Sequence, residues 1–456
     1  MSSRATEYLT TTLGRFAAEF PSNRLPSDVR SRATLMILDV FASAAGGVET
    51  ALAVSAREAA ASLFAGKAAS AWYVGKSLSR VGAAYCNAAA TSALDIDDGH
   101  RGAAGHAGAA VVPVALAMAE GQDFTGEEIL DAVAFGYDVA LRIAASRKTE
   151  RIDHYNSGTW AAYGAAASAG RLLRLDAARM AQALAIAGAE APVSLPTGAS
   201  KRMGSTVKEG LAWAAVTGLA AAERARAGCT GPDDLLDRSE VYDAAAMVAD
   251  LGQKWEIMET YLKPYACCRY IHSAIDAIEQ MRRPGASVRT LTVEIFPAGL
   301  SLQNQPAPHS LEAAQYSYPF CCALAALQGP DALRPMRPSS LFDQRVLELA
   351  GRIELSVAAD FVDAFPARTP ARVTLDQGAG PRTLTVHHPR GDVANPMSRA
   401  EVEEKFRVLA EDILPTEAIA TVIAAVDGLA RDGATPLYAA LSCRTSLNPP
   451  ELAVAN

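Results

Sequence analysis

The sequence predicts a mostly α-helical protein: a large all-helical domain followed by a smaller α+β domain. Three observations lead there. Apolar residues recur at three- and four-residue spacing through most of the first 260 positions, as on one face of a helix. Near Ser287 the pattern changes to strict alternation with β-branched residues, as in a half-buried strand. From Ser398 the helical spacing returns. The organisation expected is a helical domain of residues 1–265 and 398–456, with residues 266–397 forming an α+β lid.

In chain order, helical periodicity is clearest over Ala33 to Ala45, Gly108 to Glu120, Gly126 to Arg142 and Trp160 to Leu173. These stretches are rich in alanine, the best helix former, whose small side chain lets helices approach closely. Breaks are marked at Ala191-Pro192, Leu195-Pro196-Thr197-Gly198 and Gly231-Pro232. Strands are expected over Val288 to Phe296, Arg352 to Val357, Ala371 to Leu375 and Arg382 to His387. Gly378-Ala379-Gly380-Pro381 joins the last two as a hairpin turn, and Ala313 to Leu327 and Asp343 to Ala350 read as helical pieces between strands. Ser398, followed by Glu401, caps the final helical run. No internal repeat or low-complexity linker interrupts the 456 residues.

The formal net charge of −8 and pI near 5.5 argue against a nucleic-acid partner, which would need a basic face. They leave room for an anionic substrate, because a site needs only a few local cations. The N-terminal segment lacks a continuous apolar run, so no signal peptide is expected. No stretch gives the roughly 20 apolar residues of a membrane span. The seven cysteines include the adjacent pairs Cys267–Cys268 and Cys321–Cys322 and no CxxC spacing. That odd count favours reduced thiols and a cytoplasmic location. Adjacent cysteines suit an iron–sulfur cluster poorly; buried structural thiols are the expectation.

Chemistry concentrates in three segments. Ser92 to Pro113 carries Asp95, Asp97 and Asp98, then His100, Arg101 and His106. If this stretch ends a helix, Asp95 and Gly99 share a face with Asp98 beside it, and neighbouring carboxylates raise one another's pKa into a range useful for proton transfer. A helix starting at about Ala107 would lower the pKa of His106, keeping it a neutral base or donor. The same acidic triplet also fits a solvated helix end or a divalent cation site, although the spacing is not that of an EF-hand. Leu195 to Lys208 is a glycine-bearing turn presenting Lys201, Arg202 and Lys208, which suits carboxylate binding or simple solvation. Tyr261 to Asp276 gathers Lys263, Tyr265, Arg269, Tyr270 and His272 where helices give way to strands, and domain junctions favour sites. His154, His309, His387 and His388 lack such companions.

Taken in order, these segments resemble the MmgE/PrpD family, which includes 2-methylcitrate dehydratase, cis-aconitate decarboxylase and iminodisuccinate epimerase. The likeness runs nearly end to end. It rests on Asn87 with LDIDDGH, GHAGAAVVPVALAMAE, the Gly136-Tyr137 helix, the Lys201 turn, KPYACCRYIHSAIDA, AAQYSYPFCCALAA and HPRGDVANPMSRAEVEEKF. The resemblance implies a helical domain plus an α+β lid, usually a homodimer, with the site between domains and no metal or organic cofactor. It also implies catalytic roles for Asp95, His106, Lys201 and His272. The position of a family threonine holds Gly99; His106-Ala107-Gly108 stands where many relatives have His-Pro; and one extra residue separates Asp95 from His106.

The expected function is that of a lyase acting beside a carboxylate of a small polycarboxylate, by 2-methylcitrate-like dehydration or cis-aconitate-like decarboxylation. Epimerisation of a dicarboxylate through the same ene-diolate-type intermediate is the alternative. A non-catalytic polycarboxylate-binding relative is the alternative of another class. On the enzymatic readings, His106 or His272 moves a proton at carbon, and cations stabilise the developing charge. Asp95 orients a histidine or acts as a donor. His100, Arg202, Lys208, Lys263, Arg269 and Tyr270 are the expected substrate contacts.

Overall fold

The computed structural model describes residues 7–148, 156–192 and 205–442. The helical expectations are met: helices run over Ser27–Gly47, Gly108–Ala119, Gly126–Ala145 and Gly158–Leu172, joined by Arg80–Ser92, Ala177–Glu190 and Leu211–Arg226. Close approach is enforced by glycine where the helices Gly126–Ala145 and Gly158–Leu172 cross. A Cβ on Gly164 would lie 2.5 Å from the Gly136 carbonyl oxygen, and one on Gly136 would lie 2.6 Å from Val111. No larger residue fits either position without separating the pair.

Two short strand pairs interrupt a region expected to be almost entirely helical. β1 (Ala69–Ala71) and β2 (Lys76–Leu78) form one pair, and β3 (Gly99–His100) and β4 (Thr260–Tyr261) the other. Two- and three-residue strands are too short to impose a period-two pattern on the sequence. Beyond them, β5 (Thr290–Ile295), β6 (Glu354–Val357), β7 (Ala371–Asp376) and β8 (Pro381–Val386) make a sheet in the order β6-β5-β7-β8. β6 runs parallel to β5. The β7–β8 hairpin pairs Asp376 with Pro381 around the expected turn. The helical piece expected from Ala313 is divided into Leu311–Ala314 and Tyr318–Gln328, because Ser317 caps a new helix through Phe320 N–H.

Among the described residues, two large hydrophobic cores stand beside a small cluster of Ala60, Ala71, Leu78 and Cys86. The larger joins the N-terminal helices to Val402, Phe406, Val422, Val426 and Leu437, so the C-terminal helices pack back on the first domain. The smaller comprises residues between Tyr265 and Leu375, including the sheet and the helices His272–Met281 and Tyr318–Gln328. Ser398 caps the helix Arg399–Ala410 as expected, and Glu401 completes a capping box with it. From that helix, buried Lys405 reaches Asp39 at 2.6 Å and the Ile96 carbonyl at 2.7 Å, tying the returning tail to the acidic segment. Among the described residues, no single helix is long and apolar enough to cross a membrane.

Candidate active site

The helix Arg80–Ser92 ends before the acidic segment begins. Asp95 therefore shares no helical face with Gly99; it takes a left-handed φ of 51°, uncommon for a non-glycine residue. The chain then enters β3, where Gly99 pairs with Tyr261 and His100 with Thr260. This pairing brings two distant segments into register. It sets Lys263 Nζ 2.8 Å from Asp95 Oδ1, although the residues are 168 positions apart. Lys263 is wholly buried. Burial lowers its pKa, but Asp95 and its other neighbours outweigh that and hold it above its ordinary value. Asp95 answers in kind: burial pushes it up, Lys263, Lys208 and His106 pull it down, and the net displacement is downward. It is a carboxylate rather than a proton donor. Asp98 is the carboxyl that rises, to about 7, through burial and the neighbouring charges of Asp39 and Asp97; Tyr137 Oη donates to it at 3.1 Å.

His106 lies between these groups. Its Nδ1 is 2.5 Å from the Asp98 carbonyl oxygen, an acceptor only, so Nδ1 carries hydrogen and donates. Its Nε2 faces Asp95 at 3.4 Å and Glu209 at 3.9 Å, and Asp97 lies 3.4 Å from Nδ1. Burial lowers the imidazole's pKa, yet Asp97, Glu209 and Asp95 reverse this and the net shift is upward. The direction is opposite to the lowering expected at a helix N-terminus. The helix begins at Gly108, one residue past the expected start, so the three carboxylates rather than the helix position decide the direction.

Asp95, His106 and Glu209 line a cavity at the seam between the two cores; Arg269, Tyr270 and Tyr316 face them from the side of the second core. Arg101 and Arg269 are bridged by Asp392, 3.4 Å from Arg269 Nη2. Their guanidinium carbons lie 6.0 and 4.7 Å from the Tyr261 ring centroid. His100 also lines the cavity, with Nδ1 accepting from Ala103 N–H and Nε2 3.3 Å from Glu256. Lys208 is half-buried behind the wall, bonded to Gln315 and stacked 5.1 Å over Tyr316. Lys201 and Arg202 lie outside the described residues.

His272 does not line this cavity. It is fully buried, Nε2 donates to the Cys267 carbonyl at 3.1 Å, and Nδ1 accepts from Arg269 Nη1 at 3.3 Å. Burial, with Arg269 and Lys263 nearby, holds its pKa well below the usual histidine range. With both nitrogens occupied, the imidazole orients Arg269 and has no free nitrogen to move a substrate proton. His309, His387 and His388 are exposed. Of the cysteines, Cys267, Cys321 and Cys322 are buried thiols as expected, while Cys268 reaches the cavity wall.

Glu209, Tyr261 and Tyr316 carry no role in the sequence reading, and Arg101 is named there only as a member of the acidic segment. Glu209 directly follows Lys208, so the cationic turn ended one residue short of it. Its Oε2 accepts from Ser157 Oγ. Burial raises its pKa, against an opposing pull from His106. Ligand atoms of Asp95, His106 and Glu209 lie within 4.8 Å of one another, a spacing that would suit a cation. Lys263 already supplies a positive charge at the same Asp95 oxygen.

Fold and cavity together define a class: a two-domain, mostly helical protein with an imidazole–carboxylate–ammonium cluster facing arginines across its seam. Within that class, the chain belongs to the MmgE/PrpD family: the MmgE/PrpD N-terminal domain matches residues 11–251 and the C-terminal domain residues 265–429. The second match runs through the helices Arg399–Ala410 and Thr416–Asp432, which pack with the first core. Two Aspergillus terreus sequences named cis-aconitate decarboxylase are 28% and 27% identical to this chain, over 97% of it and 97% of their own length. The Homo sapiens protein of that name is 25% identical over 76% of each chain.

Proposed function

We propose that this protein is a lyase that works on a small polycarboxylate in the seam cavity, with loss of carbon dioxide from a cis-aconitate-like unsaturated tricarboxylate as its reaction. The observation that carries this reading is His106: a buried imidazole with a raised pKa and Nδ1 pinned to the Asp98 carbonyl, in the same cavity as Arg101 and Arg269. The names of relatives aligned over nearly the whole chain favour decarboxylation over the other eliminations.

The geometry suits the following sequence. Arg101 and Arg269 give the cavity wall the positive charge that attracts substrate carboxylates. The carbon–carboxylate bond breaks, carbon dioxide leaves, and the electron pair spreads over the remaining double bond and carboxylate, stabilised by nearby cations. Protonated His106 delivers its Nε2 proton to the carbanionic carbon and is reprotonated from solvent. Asp95, kept ionised by Lys263, orients the imidazole and supports its charge.

The test is incubation with cis-aconitate, 2-methylcitrate and a panel of other di- and tricarboxylates in deuterated water, followed by NMR. Release of carbon dioxide with one deuterium placed on the product carbon is expected, and addition of EDTA leaves the rate unchanged. Loss of water instead assigns the dehydratase reaction. Deuterium exchange with neither loss identifies an isomerase, and tight binding without turnover identifies a non-catalytic relative. Light scattering checks the homodimer that the family implies.

A further inference from the structure

Gly99 and Tyr261 are directly opposite residues of the β3–β4 pair, so their substituents stand on the same face. The phenol of Tyr261 folds over the glycine. A Cβ built on Gly99 would lie 2.5 Å from the phenolic oxygen and 2.6 Å from Cζ. Glycine is needed here for space rather than for backbone freedom: any side chain at position 99 would collide with the tyrosine. Tyr261 is only 6% exposed, and the part it shows lines the cavity. Arg101 and Arg269 hold its ring from their 6.0 and 4.7 Å positions. No described group accepts from or donates to its hydroxyl. A tyrosine this buried ordinarily finds a partner for its O–H.

We propose that Tyr261 is a further catalytic residue of the cavity, its hydroxyl donating a hydrogen bond to a carboxylate oxygen of the bound acid, and that Gly99 is the space that admits it. The inference rests on the reading that the cavity takes a polycarboxylate. Burial raises the phenol to about 12, with Lys263 and the arginines tempering the rise, so it remains a protonated donor at neutral pH. As charge moves onto the substrate carboxylate during bond cleavage, a donor already aimed at it gains strength.

The experiment compares wild type, Tyr261→Phe, Tyr261→Ala and the double variant Gly99→Thr/Tyr261→Ala. The readouts are cis-aconitate turnover, calorimetric binding of the saturated analogue tricarballylate, and melting temperature. Tyr261→Phe keeps the ring that fills the seam, so its melting temperature should stay at the wild-type value while kcat falls by at least about tenfold, as for loss of a donor to developing charge. The double variant should recover at least about fivefold over Tyr261→Ala, because a short hydroxyl at position 99 reaches the space the phenol vacates. Wild-type turnover with Tyr261→Phe within twofold of it in kcat and tricarballylate affinity would overturn the role of Tyr261 and leave the polycarboxylate reading standing. A wild type that neither turns over cis-aconitate nor binds tricarballylate would overturn both.

Discussion

At His106, burial and charge oppose each other and charge prevails. Asp97 makes the largest upward contribution, ahead of Glu209 and Asp95. If protonated His106 delivers the proton, activity is fully present below the raised pKa and is lost as pH rises through it. The alkaline limb of kcat/KM should therefore lie above the ordinary histidine value of about 6.5. Asp97→Asn should move that limb to lower pH; an unmoved limb would assign it to another group. Asp98 gives a separate prediction about stability. Its folded pKa of about 7 exceeds the ordinary carboxylate value of about 4, so between those limits the folded state binds a proton that the unfolded state releases. Its contribution is full at low pH and is lost as pH rises through 7. Asp98→Asn should remove that part of the pH dependence, and denaturant titrations of both proteins at pH 4.5 and 7.5 read the difference.

At the scale of elements, the site depends on contacts that leave weak traces in sequence. Gly136 and Gly164 let two helices cross almost backbone to backbone. Gly164→Ala should cost about 1–3 kcal/mol of unfolding free energy by overpacking, measured by denaturant titration. A change below about 0.5 kcal/mol would mean that the helices separate freely. Long amphipathic helices, the β7–β8 hairpin and the capping box at Ser398 were legible because each repeats a pattern or obeys local turn chemistry. β3 and β4 were not, since a two-residue strand has no period and its partner lies far along the chain. A shared helical face for Asp95 and Gly99 requires a helix that in fact ends at Ser92, and nothing local in the sequence marks Tyr261 as the partner of Gly99. The chemistry of Asp95, His106, Arg269 and Tyr270 was visible as residue type and clustering. The separation of His272 from the cavity was not, because it depends on which way the first turn of the helix His272–Met281 faces.

At the scale of the molecule, the two cores meet where the acid–imidazole cluster of one faces the arginines of the other. Lys263 and Lys405 are two buried cationic ties in this architecture. The first bonds Asp95, and the second joins the returning tail to Asp39 and Ile96. Both are buried ion pairs, stable only while each partner is present. On the proposed reading, the imidazole of His106 delivers the proton. The most direct measurement is kcat for cis-aconitate in His106→Gln, a substitution that retains a polar side chain without an acid–base group. A fall of at least about 100-fold with an unchanged melting temperature is expected, the lower end for general acid–base catalysis. A loss of tenfold or less in a variant that folds normally would contradict the role assigned to His106 and place the proton donor elsewhere.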